Sequence, residues 1–403
     1  MNLLSPVVAK HVRTLILSPD SQMHSIHKKP IKSIAGTARR VLGQINVPIT
    51  PFTVAAAQGR LIEHITSMTN VDSLIVCRSR DPRKQRLQKV DLVMMIGIRA
   101  SLSSHGSNLQ SLSLSTPYIN VLGDAPTISG LEAFKVTFYE EINPDDKYST
   151  LISFITRHSQ TLNSIAVAIR DEKLDPSYLF AHLPHLRRLT EVSITLPFDR
   201  MRSGQATNID LYLQKHSHLL QKIKYHFCSA RSRTYTFIRF SSILQKIFTN
   251  PILHVKFPQM MSLDIQLFDW DSRADTIKFS HMIVSALASY LKQVQRRTLI
   301  SFTLGFYFLP PYYHDAEDFF SALENKPLRY LNIQTCYLTV DTLDHICTCL
   351  PQLYELVWTV GGLWGDPFIY GMDAEYVPPH SDAYYFILDV SFTFYNNCVS
   401  RNS

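Results

Sequence analysis

The chain has 403 residues, of which 45% are hydrophobic and 18% are charged. This composition supports a large folded core and excludes an intrinsically disordered chain. The formal net charge of +7 is compatible with an anionic partner but does not identify one.

The amino terminus does not resemble a signal peptide. Its apolar stretch in residues 1–11 lacks a preceding basic segment and is interrupted by Ser5 and Pro6. The longest charge-free apolar stretch, residues 299–313, contains two prolines and is shorter than the ~20 residues of a membrane span. We therefore expect a cytoplasmic or nuclear protein with no membrane partner.

Three irregular stretches, residues 18–50, 78–89 and 361 to about 382, are predicted to be loops or poorly ordered tails, and the first two are basic. The basic side chains are His27, Lys28, Lys29, Lys32, Arg39 and Arg40 in the first, and Arg78, Arg80, Arg83, Lys84, Arg86 and Lys89 in the second. Such runs attract phosphates, so a basic solenoid that binds nucleic acid through the loop near residues 78–89 is the alternative function. Neither run contains the aromatic residues that stack on bases, so the sequence favours a protein partner over nucleic acid.

From residue 109 onward the pattern Leu-x-x-apolar-x-apolar recurs at intervals of 22 to 40 residues. The nine units are Leu109-Leu112-Leu114, Leu131-Phe134-Val136, Leu162-Ile165-Val167, Leu189-Val192-Ile194, Leu220-Ile223-Tyr225, Met260-Leu263-Ile265, Leu299-Phe302-Leu304, Leu328-Leu331-Ile333 and Leu353-Leu356-Trp358. This interval is typical of a strand-plus-helix repeat. Alternation of apolar residues within each unit indicates a strand with one buried face.

One-faced helices are predicted between these strands. Residues that favour helix starts precede apolar stripes at Asp145, Pro176, Asn208, Ser280 and Asp341. Because such a helix cannot bury its stripe alone, successive units must stack into a continuous core. We predict an α/β solenoid of strand-plus-helix repeats, a horseshoe with parallel concave strands and convex helices. A single domain is expected over 1–403, with regular repeats at about 109–360 and an irregular C-terminal cap over 361–403.

Residues with catalytic or metal-binding potential do not form a recognisable motif. Cys347 and Cys349 lie in a predicted helix without a second pair at ligand spacing. The pairs His182/His185 and His216/His218 are predicted to face solvent or to lie at repeat junctions. The chain contains no phosphate-binding, dinucleotide-binding or nucleophile-elbow motif. The sequence therefore predicts no enzyme, no catalytic residue, no metal and no cofactor.

The block from Pro327 to Cys336, followed by Leu338, Leu343 and the run from Leu350 to Leu356, resembles degenerate leucine-rich repeats of F-box proteins. The block from Leu183 to Leu196 is similar, and residues 12–17 resemble divergent basidiomycete fungal relatives. This resemblance implies an α/β leucine-rich-repeat solenoid and a substrate-recognition subunit related to the F-box proteins of cullin-RING ubiquitin ligases. Residues 1–70 contain no recognisable F-box, so recruitment of a ligase adaptor would require an F-box upstream.

Side chains between the buried strand positions should point away from the core, because side chains alternate across a strand. These candidate partner-binding residues, which we call the contact row, are Lys135, Thr137, Ser193, Thr195, Lys224, His226, Asp264, Gln266, Thr303, Asn332, Gln334 and Thr359. The sequence therefore predicts a non-enzymatic protein-protein interaction scaffold whose unidentified protein partner binds the concave face.

Overall fold

The computed structural model describes residues 9–17, 51–77, 88–139, 144–170, 174–197, 208–228, 250–268, 280–293, 298–308, 313–338, 340–363 and 388–393. The predicted loop at 18–50 and residues 78–87 lie outside the described residues. The first basic run and most of the second therefore stay sequence observations.

Strands and helices alternate along the chain. The strands are β1 (Thr14–Leu17), β2 (Ser73–Val76), β3 (Ser111–Ser115), β4 (Ala133–Phe138), β5 (Ser164–Ile169), β6 (Glu191–Pro197), β7 (Lys222–Cys228), β8 (Ser262–Phe268), β9 (Ser301–Phe308), β10 (Tyr330–Leu338), β11 (Glu355–Leu363) and β12 (Leu388–Thr393). The helices are α1 (Pro51–Ser67), α2 (Gln88–His105), α3 (Pro144–Arg157), α4 (Ser177–His182), α5 (Ile209–His216), α6 (Pro251–His254), α7 (Ser280–Gln293), α8 (Tyr313–Leu323) and α9 (Val340–Cys349). A 3-10 helix, Tyr118–Leu122, connects β3 to β4.

Two compact units divide the chain: unit 1 comprises residues 1–168 and 182–189, and unit 2 comprises residues 169–181 and 190–403. In unit 1 the strands β1 to β4 pair in parallel and in chain order. In unit 2 the strands β6 to β11 do the same, and β12 pairs antiparallel with β11. The predicted α/β solenoid with parallel strands is confirmed.

The repeat pattern locates the strands closely. In all nine units the strand begins two residues after the first apolar residue, as with Leu328 and β10. The three apolar positions of every unit are at most 4% exposed, and Leu331 and Leu356 are fully buried. Since each strand is covered by its neighbours, these positions form a continuous apolar core within each unit.

Two repeats precede the nine found in the sequence. The strands β1 and β2 follow Val12 and Val71, which occupy the first apolar position in place of Leu. These two residues are 7% and 0% exposed, so valine fills the same buried position. The first of these strands, Thr14–Leu17, lies within the run of residues 12–17 that the sequence analysis singled out.

A ladder of shared backbone carbonyls joins the starts of neighbouring strands. The carbonyl of Gln221 accepts hydrogen bonds from both Met261 and Ser262, at 2.7 and 2.9 Å. The carbonyl of Met261 accepts in the same way from Ile300 and Ser301. Such paired bonds recur between β1 and β5 in unit 1 and between β6 and β11 in unit 2. The ladder fixes the register at the amino end of each strand.

Helix starts agree with prediction at the expected places, with one difference in capping. Before α4, the carboxylate of Asp175 accepts from the backbone nitrogen of Ser177 at 2.9 Å. Asn208 precedes α5 but has a left-handed backbone, with φ of 51°, and its side chain does not cap the helix. Instead, Asn208 donates to the carbonyl of Ser177 at 3.2 Å, which ties α5 to the preceding helical segment.

Buried histidines lie at equivalent places in three repeats. His105, His158 and His216 each come four residues before the first apolar residue of a unit, and each is at most 2% exposed. In His158, Nδ1 lies 2.8 Å from the carbonyl of Phe154, and Nε2 accepts from the backbone nitrogen of Ile128 at 3.0 Å. His216 therefore lies at a repeat junction, and His182, His185 and His218 are exposed to solvent. The sequence predicted one or the other placement for each of these residues.

These contacts predict a stability that falls in acid. Burial lowers the pKa of His158 and of His105 below the usual histidine value of about 6.5, and this effect outweighs their backbone hydrogen bonds. As the pH falls, histidine is protonated in the unfolded chain at a higher pH than in the folded chain. The contribution of these histidines to the free energy of unfolding is therefore complete above about pH 6.5 and is lost as the pH falls below it. We expect urea unfolding to give a lower free energy at about pH 5.5 than at about pH 7.5. His158→Gln should flatten this dependence, and an unchanged slope in that variant would contradict the assignment.

Candidate interaction surface

Five members of the contact row are brought into one line across unit 2. Ser193, Lys224, Asp264, Thr303 and Asn332 are register partners on β6, β7, β8, β9 and β10. Neighbouring strands lie about 4.8 Å apart, so the line spans about 19 Å. All five side chains are half-buried, and the positions on either side of them along each strand are buried apolar residues. This arrangement presents polar groups in fixed positions above an apolar core.

A second line follows two residues further along the strands. Thr195, His226 and Gln266 are register partners, followed by Gly305 on β9. His226 and Gln266 are half-buried, whereas Thr195 is only 5% exposed. Thr195 therefore offers little surface to a partner.

The lysine of the first line already has an acidic neighbour. Lys224 Nζ lies 2.7 Å from Glu191 Oε1, and these side chains are 39% and 25% exposed. Glu191 opens β6 and lies two residues before Ser193 on the same face. Sequence reasoning missed Glu191 because the apolar pattern begins at Val192. An exposed pair of this kind contributes little to stability but fixes where the ammonium group lies.

Asp264 is the centre of a second polar group. Its Oδ2 accepts from Gln266 Nε2 at 2.9 Å and lies 3.6 Å from His226 Nε2. The other oxygen, Oδ1, is buried and accepts no hydrogen bond from the described residues. A buried acceptor without a donor is costly, so this oxygen lowers the stability of the polar group.

Glycine at position 305 makes room for this group. A Cβ atom on Gly305 would lie 2.9 Å from Cγ of Gln266, which is closer than ordinary packing allows. The Gln266 side chain therefore lies against the backbone of β9. This close approach holds the amide beside Asp264.

The other members of the contact row lie elsewhere or outside the described side chains. In unit 1, Lys135 is exposed and pairs in register with Ser113, while Thr137 is 7% exposed and pairs with Ser115. In unit 2, Gln334 and Thr359 are register partners on β10 and β11, and their side chains are not among those described. A register shift between Ile333 and Gln334 moves Gln334 opposite Tyr307.

Groups suited to metal binding do not converge within the described part of the chain, where no cluster of three His, Cys, Asp or Glu residues was found. On α9, Cys349 Sγ lies 3.4 Å from His345 Nε2. Burial, together with nearby Asp344, raises the pKa of the Cys347 thiol, which favours its protonated form. No helix among the described residues combines the length and apolar character needed to cross a membrane.

Comparisons with known proteins add one structural likeness. No protein-family model matches the chain, and no curated protein matches it. Among solved structures, the chain is similar to yeast Rad7 in a crystal structure of the Rad7 and Elc1 complex, with a TM-score of 0.39 and 14% identity over 76% of this chain and 75% of that chain.

Proposed function

We propose that this protein is a non-enzymatic scaffold whose protein partner binds the outward face of the unit 2 sheet. The observation that carries the proposal is the line of half-buried polar side chains from Ser193 to Asn332, one from each of five consecutive strands. A rigid sheet holds these groups at fixed separations, which reduces the ordering cost of binding. Binding sites for extended partners on repeat proteins have this character.

The polar groups of this face suit a protein partner better than a polyanion. Lys224 pairs with Glu191, and the acidic Asp264 is the register partner of Lys224 on the next strand. Phosphate backbones require several uncompensated cations, whereas this face presents both signs of charge in close pairs. Such mixed charges favour a partner of matching polarity and disfavour others.

The resemblance of the repeats to those of F-box proteins supports a more specific role for the scaffold. We propose that the chain recognises a protein destined for ubiquitylation, with a ligase adaptor recruited through an F-box upstream. Unit 2 would hold the substrate in this arrangement. The contact row would then determine which proteins are selected.

A charged double variant tests the scaffold. Thr303→Arg with Asn332→Arg adds bulk and positive charge to the middle of the line without removing either charged pair. We expect the proteins captured by the parent chain from nuclease-treated cell extract to be lost or reduced about tenfold, measured by quantitative mass spectrometry. Because both side chains lie on the outward face, circular dichroism should show the parental fold.

A matched variant on the helices controls for added charge. Gln214 and Ser289 are exposed on α5 and α7, so Gln214→Arg with Ser289→Arg, which adds the same two positive charges, should leave capture unchanged. Equal capture by the contact-row variant and the parent would overturn the proposal. Loss of all capture after nuclease treatment of the parent would support nucleic acid as the partner, and ligase adaptors among the captured proteins would support the ubiquitin-ligase role.

A further inference from the structure

A second row of side chains lies at the amino end of the unit 2 strands, three residues before the contact-row members Asp264, Thr303 and Asn332. It consists of Met261, Ile300, Arg329 and Tyr354, each directly before the first residue of β8, β9, β10 or β11. We call these four residues the rim. The carbonyl ladder passes through their backbones, with two hydrogen bonds of 2.7–3.0 Å at every step. The backbone of the rim is therefore held in place before any partner binds.

The rim contains large apolar side chains that are exposed to solvent. Tyr354 is 54% exposed and Met261 is 41% exposed, although each follows a buried apolar residue of its repeat. Ile300 is half-buried between them, and Arg329 is exposed. Tyrosine, methionine and arginine are the residues enriched where proteins bind one another. Three strand spacings make the rim about 14 Å long, which matches four or five residues of an extended peptide.

Two cationic side chains at the amino end of the unit 2 strands differ from Lys224, which pairs with Glu191. Neither Arg329 nor the exposed Lys222, which opens β7, forms an ion pair with a described residue. Two acids lie at the first strand positions of unit 2: Glu355, half-buried on β11, and Glu191 on β6, the register partner of Lys222, whose carboxylate pairs with Lys224. Because Arg329 forms no ion pair with a described residue, a carboxylate is its complementary group, and its planar guanidinium binds one through two hydrogen bonds.

We propose that the rim binds a short segment of a partner protein in which large apolar side chains stand next to an acidic residue. The apolar side chains lie against Met261, Ile300 and Tyr354, and the carboxylate pairs with Arg329. This proposal rests on the scaffold function and names the chemistry of its partner. The rim supplies the apolar anchor, and the contact row supplies polar selectivity.

The test uses peptides as probes of the full chain. A phage-displayed library of random peptides of about twelve residues is selected on immobilised protein. We expect enriched sequences to place Asp or Glu beside Leu, Phe or Trp. In fluorescence anisotropy with a labelled enriched peptide, Arg329→Glu and Tyr354→Ala should each weaken binding about tenfold or more. Replacing the peptide's acid with Lys should restore binding to Arg329→Glu.

A control variant and the contact-row variant separate the outcomes. Tyr178→Ala with Leu211→Ala removes exposed side chains from α4 and α5 of the same unit, and it should leave peptide binding unchanged. Selection without an acidic and apolar consensus, or equal binding by the parent and both rim variants, would overturn the rim proposal. If the rim variants bind normally while Thr303→Arg with Asn332→Arg abolishes partner capture, the scaffold function stands and the rim proposal fails.

Discussion

Replacing Leu331 or Leu356 with alanine is expected to lower the free energy of unfolding by about 2–5 kcal/mol. Both leucines occupy the middle apolar position of their repeats, both are fully buried, and they are register partners on β10 and β11. Each substitution leaves a cavity between one repeat and the next. Repeat proteins gain much of their stability from such neighbour contacts, so the cost should appear in the cooperative unfolding of unit 2.

Urea unfolding followed by circular dichroism measures this loss. The matched control is Val357→Ala, which shortens a half-buried side chain on the outward face of β11, directly after Leu356. We expect this control to cost well under half as much, because less apolar surface leaves the core. Parental stability in both leucine variants would mean that the apolar pattern had been assigned to the wrong face.

Much of the fold could be predicted because one short pattern determines both local structure and packing. Alternating apolar residues, as in Leu328, Leu331 and Ile333, specify a strand and its buried face together. The intervals between units are long enough to hold a helix. Because parallel neighbouring strands need such a crossover connection, parallel pairing could be predicted. The repeat at Val71 was missed because valine replaces the expected leucine, although the burial is equivalent. The antiparallel strand β12 lies in the segment expected to be irregular and carries no repeat signal.

The outward face was predictable as a set of positions, but its interactions were not. Alternation identifies Lys224 and Asp264 as outward-facing, yet the neighbours of a side chain across strands depend on register. The pair of Lys224 with Glu191 joins residues 33 positions apart. Burial of Thr137 and Thr195 was also not evident, because exposure of a small side chain depends on how closely larger neighbours surround it.

The buried histidines were visible in the sequence but were not recognised as a repeated feature. His105, His158 and His216 stand at the same offset before the repeat leucine, and so does His185, which is exposed. Offset alone therefore does not determine burial. In His158 the deciding contact is the backbone nitrogen of Ile128, which belongs to the preceding connection.

Photo-crosslinking from single positions tests the central claim that the contact row is the partner-binding surface. A benzophenone side chain at position 303, half-buried on the outward face of β9, should crosslink to the captured partner. The same group at position 215, exposed on α5, should give no such product, because the helices lie away from the outward face of the sheet. A large difference is expected, since crosslinking requires direct contact. Crosslinks from position 215 with none from position 303 would contradict the account.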